Sequence, residues 1–224
     1  MAVGGLGSPM KDLEIHSFRN PDSISRTKLI TDRDSFGGFS TAKLEAVPFP
    51  ANELPPDYQA AHNQPPPHYG KFTGNINIDL PPNRPDIERS GFAAWRMADP
   101  GWSLLGKALY NCEPYAFLAL RFKADNSRYF VNVQVDSFVA TDLYQHRLFA
   151  NTPGRWETVY IPFTEFVKTH MGRVLKSQGY FPKNLITTVG LGLIDRIPGP
   201  FGLCIDRIWA TNHREKIIDE DDLD

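Results

Sequence analysis

The residues of this 224-residue chain that could do chemistry are few and scattered. Glu157, Asp195 and Asp206 are carboxylates in or beside apolar segments, and two carboxylates flanking a bond can act as acid and base in glycoside hydrolysis. Their sequence positions do not define a pair. His62 and His68 stand in a Pro-rich stretch and could share a metal, but neither has a cysteine or an acid beside it. Asp32-Arg33-Asp34-Ser35-Phe36-Gly37-Gly38 opens like a calcium loop. Phe36 takes its fifth position and Lys43 its twelfth, where a bidentate Glu belongs, so the stretch reads as a turn. Gly190-Leu-Gly-Leu-Ile-Asp195 begins like a dinucleotide fingerprint, yet Asp195 replaces the third glycine and Pro198 and Pro200 bar the helix that should follow. No Cys-X-X-Cys, His-Glu-X-X-His, Gly-X-Ser-X-Gly or Walker loop occurs. The chain is expected to use no metal, no cofactor and no catalytic residue.

Composition narrows the class further. A formal charge of −2 argues against nucleic acid as the main partner, because phosphate binding needs a basic excess. A hydrophobic fraction of 41% with 15 phenylalanines can fill one core, and 224 residues suit one β-sandwich with long loops. No run of 18 apolar residues is present to span a bilayer. The two cysteines, Cys112 and Cys204, read as reduced thiols, since disulfide scaffolds are Cys-dense.

Periodicity supplies the elements. From Leu185 to Asn212 the chain reads as two strands, the last pair of the sandwich, joined through Ile197-Pro198-Gly199-Pro200. Val189, Leu191 and Leu193 alternate with Gly190 and Gly192, so one face is apolar and the other bare; such glycines suit close approach of a backbone or ligand. Asp206 and Arg207 interrupt an apolar strand and are expected to bond each other or a loop backbone. Further strands are read at Leu13–Phe18, Phe39–Val47, Tyr69–Leu80, Gly91–Met97, Asp142–Phe149 and Gly154–Pro162, the last followed by a helical turn. Tyr115–Lys123 and Arg128–Asp136 are read as a hairpin around Ala124-Asp125-Asn126-Ser127. Lys168–Gln178 reads as helical. The result is one domain over residues 11–212, with a Pro-rich insertion at 48–68, a Gly-rich flexible start at 1–10 and an acidic flexible tail at 213–224.

Three blocks, Thr141-Asp-Leu-Tyr-Gln-His-Arg-Leu148, Trp156-Glu-Thr-Val-Tyr-Ile-Pro-Phe-Thr-Glu-Phe166 and Val189-Gly-Leu-Gly-Leu193 through Ile205-Asp-Arg-Ile208, together resemble the complex I intermediate-associated protein 30 family. Phe18-Arg-Asn-Pro-Asp-Ser-Ile-Ser25 through Thr41 is similar to that family's opening. The resemblance implies an all-β, galactose-binding-domain-like jelly roll with long loops and a short helix. It also implies a non-catalytic assembly factor for mitochondrial respiratory complex I. Its expected partners are other complex I assembly factors and a membrane-arm intermediate, met in the matrix at the inner-membrane surface. Residues 1–10 supply no presequence for that address.

Alternation in the strands suggests where partners bind. Arg121, Asn132, Gln134, Tyr144, His146 and Arg147 are read as one polar, aromatic-dotted face, with tyrosine and arginine enriched at interfaces. The Pro48–Pro67 arm is a second candidate. The rival reading is a carbohydrate-binding module in which the same polar residues bond hydroxyls and Trp95 or Trp102 stacks on a sugar ring. Tyr144, Trp156 and Trp209 are also candidates for core aromatics.

Overall fold

A computed structural model describes residues 10–59, 65–99, 101–103, 106–137, 139, 141–170 and 172–214. Residues 1–9 of the expected flexible start, His62, and residues 215–224 of the expected acidic tail lie outside the described residues. In chain order the strands are β1 (Leu13–Ser17), β2 (Thr27–Thr31), β3 (Thr41–Pro48), β4 (His68–Ile76), β5 (Ala93–Met97), and the short β6 (Trp102–Ser103) and β7 (Gly106–Lys107). There follow β8 (Phe117–Ala124), β9 (Tyr129–Val135), β10 (Asp142–Arg147), β11 (Glu157–Pro162), β12 (Val167–His170), β13 (Arg173–Val174), β14 (Ile186–Leu193) and β15 (Gly199–Thr211).

Apart from β6 and β7, which pair with each other, these strands build two antiparallel sheets packed face to face. One runs β11-β8-β15-β4-β3 with β1 also on β15, and the other runs β13-β12-β10-β9-β14-β5-β2. Their inner faces are the aliphatic sides of the alternation. Leu118, Leu120 and Phe122 from β8 meet Val131, Val133 and Leu191 from the opposite sheet, every one fully buried. Trp95, Phe18, Phe72 and Tyr129 fill the space between them. This is the β-sandwich that the alternation predicts, in the jelly-roll form that the resemblance implies.

Three connections differ from the reading of the sequence. β8 and β9 are not a hairpin, for β8 lies in the six-stranded sheet and β9 in the seven-stranded one. Alternation with one apolar side fits a hairpin and a cross-core pair equally well, and only burial of both apolar faces selects the second. Asp125 fixes the crossover by accepting from Gly202 N at 2.7 Å, Ser127 N at 2.8 Å and the Tyr129 hydroxyl at 3.1 Å. Likewise β14 and β15 are not paired; the corner at Gly199 (φ 135°) carries the chain from one sheet to the other.

The third difference is at Lys168–Gln178, which is not helical. β12 pairs with β10, Gly172 turns the chain at φ 74°, and β13 folds back on β12. The Gln178 side chain closes this edge, accepting from Lys168 N at 2.7 Å and donating to Lys168 O at 3.0 Å. Pairing at a sheet edge outweighs a short helical pattern that contains a left-handed glycine.

The only α-helix among the described residues is one turn, α1 (Asp32–Phe36), where the sequence suggested a simple turn. Thr31 caps it by accepting from Asp34 N, and Gly37 ends it in the left-handed region at φ 84°. Asp32 is fully buried and its carboxylate accepts from Ser40 N at 3.0 Å, Ser40 Oγ at 2.9 Å, Ser90 Oγ at 2.9 Å and Gly91 N at 2.6 Å. Burial opposes its charge, but the bonds from Gly91, Ser90 and Ser40 outweigh burial and hold it below the usual carboxylate range. Its oxygens tie together the entries to β3 and β5.

Candidate functional site

The six residues read as one face occupy three environments. Asn132, Gln134 and Arg147 stand on the outer side of the seven-stranded sheet, because their neighbours Val131, Val133 and Val135 are buried. Tyr144 and His146 are directly opposite Val133 and Val131 in register, so they point toward the core. Tyr144 is 4% exposed, stacks on Phe181 at 4.1 Å with the rings 6° from parallel, and donates its hydroxyl to Tyr180 O at 3.1 Å. His146 packs beside Phe166 with Nε2 3.3 Å from Glu165 Oε2. Arg121 lies on the far side of the molecule, on the outer face of the six-stranded sheet. The single-face expectation fails at Arg121 because β8 and β9 lie in different sheets, and at Tyr144 and His146 because they alternate with Gln145 and Arg147 along β10.

Two separate surfaces result. On the first, Gln145 Nε2 donates to Asn132 Oδ1 at 2.7 Å, and Thr188 Oγ1 donates to Gln134 Oε1 at 3.4 Å. Gly190 lies in register with Asn132 and Gly192 with Phe130, which leaves a shallow floor between polar side chains. The bareness is enforced at Gly190, where a Cβ would lie 2.3 Å from Trp95 O on the neighbouring strand. At the rim the Arg147 guanidinium sits 4.8 Å from the ring centre of Phe149, which is 54% exposed. Cation and ring stack at the surface, where a partner could cover both.

The second surface is basic and aromatic, and residues 49–59 of the Pro-rich segment lie across it. That segment is therefore pinned over its described part, not free. Phe49 is 3% exposed and contacts Tyr69 and Trp156, both at 5.0 Å between ring centres. Glu53 Oε2 accepts from Lys123 Nζ at 2.6 Å and Trp156 Nε1 at 2.8 Å. These two bonds, Lys123 first, hold the Glu53 carboxyl below its ordinary range. Asp57 takes a two-bond fork from Arg19 (2.7 and 3.0 Å) and lies 3.2 Å from Arg207.

Beneath the strap lies Asp206, with no exposed surface. Arg19 reaches it through Nε and Nη2, both at 2.8 Å, and Arg121 Nη1 approaches at 3.3 Å. The expected Asp206–Arg207 contact is not what forms; Arg207 turns to Asp57 and lies over Trp209 at 4.3 Å. Burial opposes the charge of Arg19, yet its bonds to Asp206 and Asp57 prevail and raise its pKa. For Arg121 the balance is reversed, and burial pulls it below the usual arginine value. Sequence reasoning missed Arg19, Glu53 and Asp57. The one signal was a charge inside an apolar strand, which needs a partner without naming it.

Each of the candidate acid–base residues is engaged by other groups. Asp206 is held by two arginines, Glu157 accepts from Asn151 N and Thr152 N, and Asp195 accepts from Ile197 N at 3.2 Å. No group of three or more His, Cys, Asp or Glu side chains that could hold a metal occurs among the described residues. Cys112 and Cys204 are free, and burial pushes the Cys112 thiol up to about 12. Such a thiol is protonated and a poor nucleophile. No helix among the described residues is long and apolar enough to cross a membrane.

Comparison with known proteins places this geometry in context. A family model described as Complex I intermediate-associated protein 30 (CIA30) matches residues 16–205. The Complex I intermediate-associated protein 30, mitochondrial, of Neurospora crassa is 41% identical over 205 residues, which cover 89% of this chain and 73% of that protein. Its namesake in Drosophila melanogaster is 27% identical over 214 residues, covering 92% of this chain and 66% of that protein. Among solved structures, the family 11 carbohydrate-binding module of the cellulosomal cellulase Lic26A-Cel5E of Clostridium thermocellum superposes with a TM-score of 0.56 at 12% identity, over 94% of this chain and 99% of that one. At that identity the likeness concerns the fold alone. With the family model spanning almost the whole sandwich, this chain belongs to the complex I intermediate-associated protein 30 family.

Proposed function

We propose that this protein is a non-catalytic assembly factor for mitochondrial respiratory complex I, the NADH:ubiquinone oxidoreductase. In this reading it works in the matrix, peripheral to the inner membrane, and holds a membrane-arm intermediate together with other assembly factors. The observation that carries it is the family match over residues 16–205, which takes in every strand of the core except the start of β1 and the part of β15 after Ile205. The surface chemistry agrees with recognition. Asn132, Gln134, Gln145 and Arg147 present hydrogen-bonding groups beside an exposed Phe149, the mixture of polar rim and aromatic anchor found at protein interfaces.

Affinity purification of the tagged protein from mitochondria, followed by mass spectrometry, tests the reading. Membrane-arm subunits and assembly factors are expected in the eluate, and Arg147→Ala should lower their recovery without changing the fold. An eluate free of complex I proteins overturns the assignment; recovery unchanged in Arg147→Ala moves the contact to another face.

A second reading, a carbohydrate-binding module, has one observation in its favour, the jelly-roll likeness to a module solved with a β-1,3-1,4-mixed-linked tetrasaccharide (TM-score 0.54, 13% identity). Of the two tryptophans considered for sugar stacking, Trp95 is fully buried and Trp102 is 82% exposed. Calorimetry against a glycan panel decides it, and silence across the panel removes it.

A further inference from the structure

The strap-covered face of the six-stranded sheet has an uneven charge account. Arg19, Arg121 and Arg207 share only Asp57 and Asp206, three cations against two anions. The neighbouring Lys123–Glu53 pair leaves that difference unchanged. Glu14, in register with Trp209, forms no ion pair with any of them. Asp206 at the centre has no exposed surface, while the Arg207 side chain is 26% exposed, so the surplus positive charge sits at the rim, where an anion from solvent can meet it.

A cavity of about 200 Å³ opens beside this excess, lined by Pro56, Asp57, Arg121, Thr158, Arg207 and Trp209. Two guanidinium groups and a hydroxyl therefore converge on one small space. Arg121 is only 10% exposed in its side chain and is held to Asp206 by a single bond at 3.3 Å, which leaves most of its donors uncommitted to that carboxylate. Arg207 Nε is buried with no hydrogen-bond partner among the described residues. A planar guanidinium carries five donors and favours oxyanions, which accept two at a time. The Trp209 indole under Arg207 restricts how that guanidinium can tilt.

We propose that this cavity binds one oxyanion of phosphate size between Arg121 and Arg207, with the Thr158 hydroxyl as a third donor. The anion offsets the surplus positive charge of the network beneath the strap; the Asp57 carboxylate, which also lines the cavity, repels it and leaves Arg121, Arg207 and Thr158 as its donors. Its source is either free phosphate or the phosphate group of a small phosphoester; both present the same oxygens to the two arginines.

Titration calorimetry of the purified protein with inorganic phosphate and with glycerol 3-phosphate, each against chloride at matched ionic strength, tests the site. Saturable one-to-one binding by either compound supports it, and the tighter of the two names the source. Arg207→Gln is expected to weaken binding by about tenfold or more, the loss of one charge-assisted contact. Thr158→Val should weaken it several-fold with less risk to folding, while Lys176→Gln, at an exposed position, should bind as the parent does. Heats no larger than those of chloride for both compounds overturn the proposal, and so does parental affinity in both Arg207→Gln and Thr158→Val.

Discussion

Arg19 and Asp206, 187 residues apart in sequence, meet in a fork of two hydrogen bonds, Nε to Oδ1 and Nη2 to Oδ2, each 2.8 Å long. The contact ties the segment after β1 to the middle of β15. A second fork joins the same arginine to Asp57, so one side chain fastens a strand and the strap at once.

Removing the buried acid should be expensive. Asp206→Ala leaves Arg19 and Arg121 facing each other without the carboxylate, and loss of one partner from a buried pair typically costs about 3–5 kcal/mol. Denaturant unfolding should show a large drop in midpoint at an unchanged slope. A loss under about 1 kcal/mol would mean that solvent reaches the network.

The strap should detach more cheaply. Glu53→Ala removes the acceptor shared by Lys123 and Trp156 and should cost roughly 1–2 kcal/mol. Tryptophan emission should shift to the red, and protease should cut faster between Pro48 and Gln59. Unchanged emission together with an unchanged cleavage rate would show that Phe49 alone holds the segment.

The two glycines of β14 should respond differently. A Cβ on Gly190 would stand 2.3 Å from Trp95 O and 2.7 Å from Arg96 Cα, both backbone atoms, so Gly190→Ala must push β5 away. Forcing a methyl into so close a contact costs about 1–3 kcal/mol, the range for overpacking. Gly192→Ala meets the Asn132 side-chain nitrogen at 3.1 Å, Ala94 Cβ at 3.3 Å and Ala93 O at an ordinary 3.8 Å, and should be the milder change. Equal melting shifts in the two variants would refute the close-approach account of Gly190.

His16 gives the fold an acid-side weakness. Burial first, and the charge of Arg26 second, lower its pKa from 6.5 to about 4. The unfolded chain therefore binds more protons between these values, and stability is whole above pH 6.5 and falls as pH drops toward 4. The full effect is roughly 3 kcal/mol at most. His16 packs edge-on to Phe18 at 4.6 Å between ring centres, so His16→Phe keeps an aromatic ring there and should flatten the profile across this window. Parallel profiles in parent and variant would assign the acid sensitivity to other groups.

The strands were legible because burial on one side writes a period of two into the sequence. Val131, Val133 and Val135 declared their inward face, and the split of Tyr144 and His146 from Gln145 and Arg147 was visible from the same rule. The Lys168–Gln178 segment was misread because four residues of edge strand carry too little alternation to compete with a helical pattern. The family blocks were equally visible, since they are local runs of residues.

What alternation leaves open is which sheet receives each strand. An apolar face tells a strand to look inward but not from which side, so Leu120 and Val131 read as neighbours and turn out to oppose each other across the core. For the same reason the polar residues around them, Arg121 and Asn132 among them, end on opposite surfaces of the molecule. The charge in β15 likewise announced that it needed a partner. Only the folded chain, by carrying β1 onto β15 and laying the segment after Pro48 across the sheet, could make that partner Arg19.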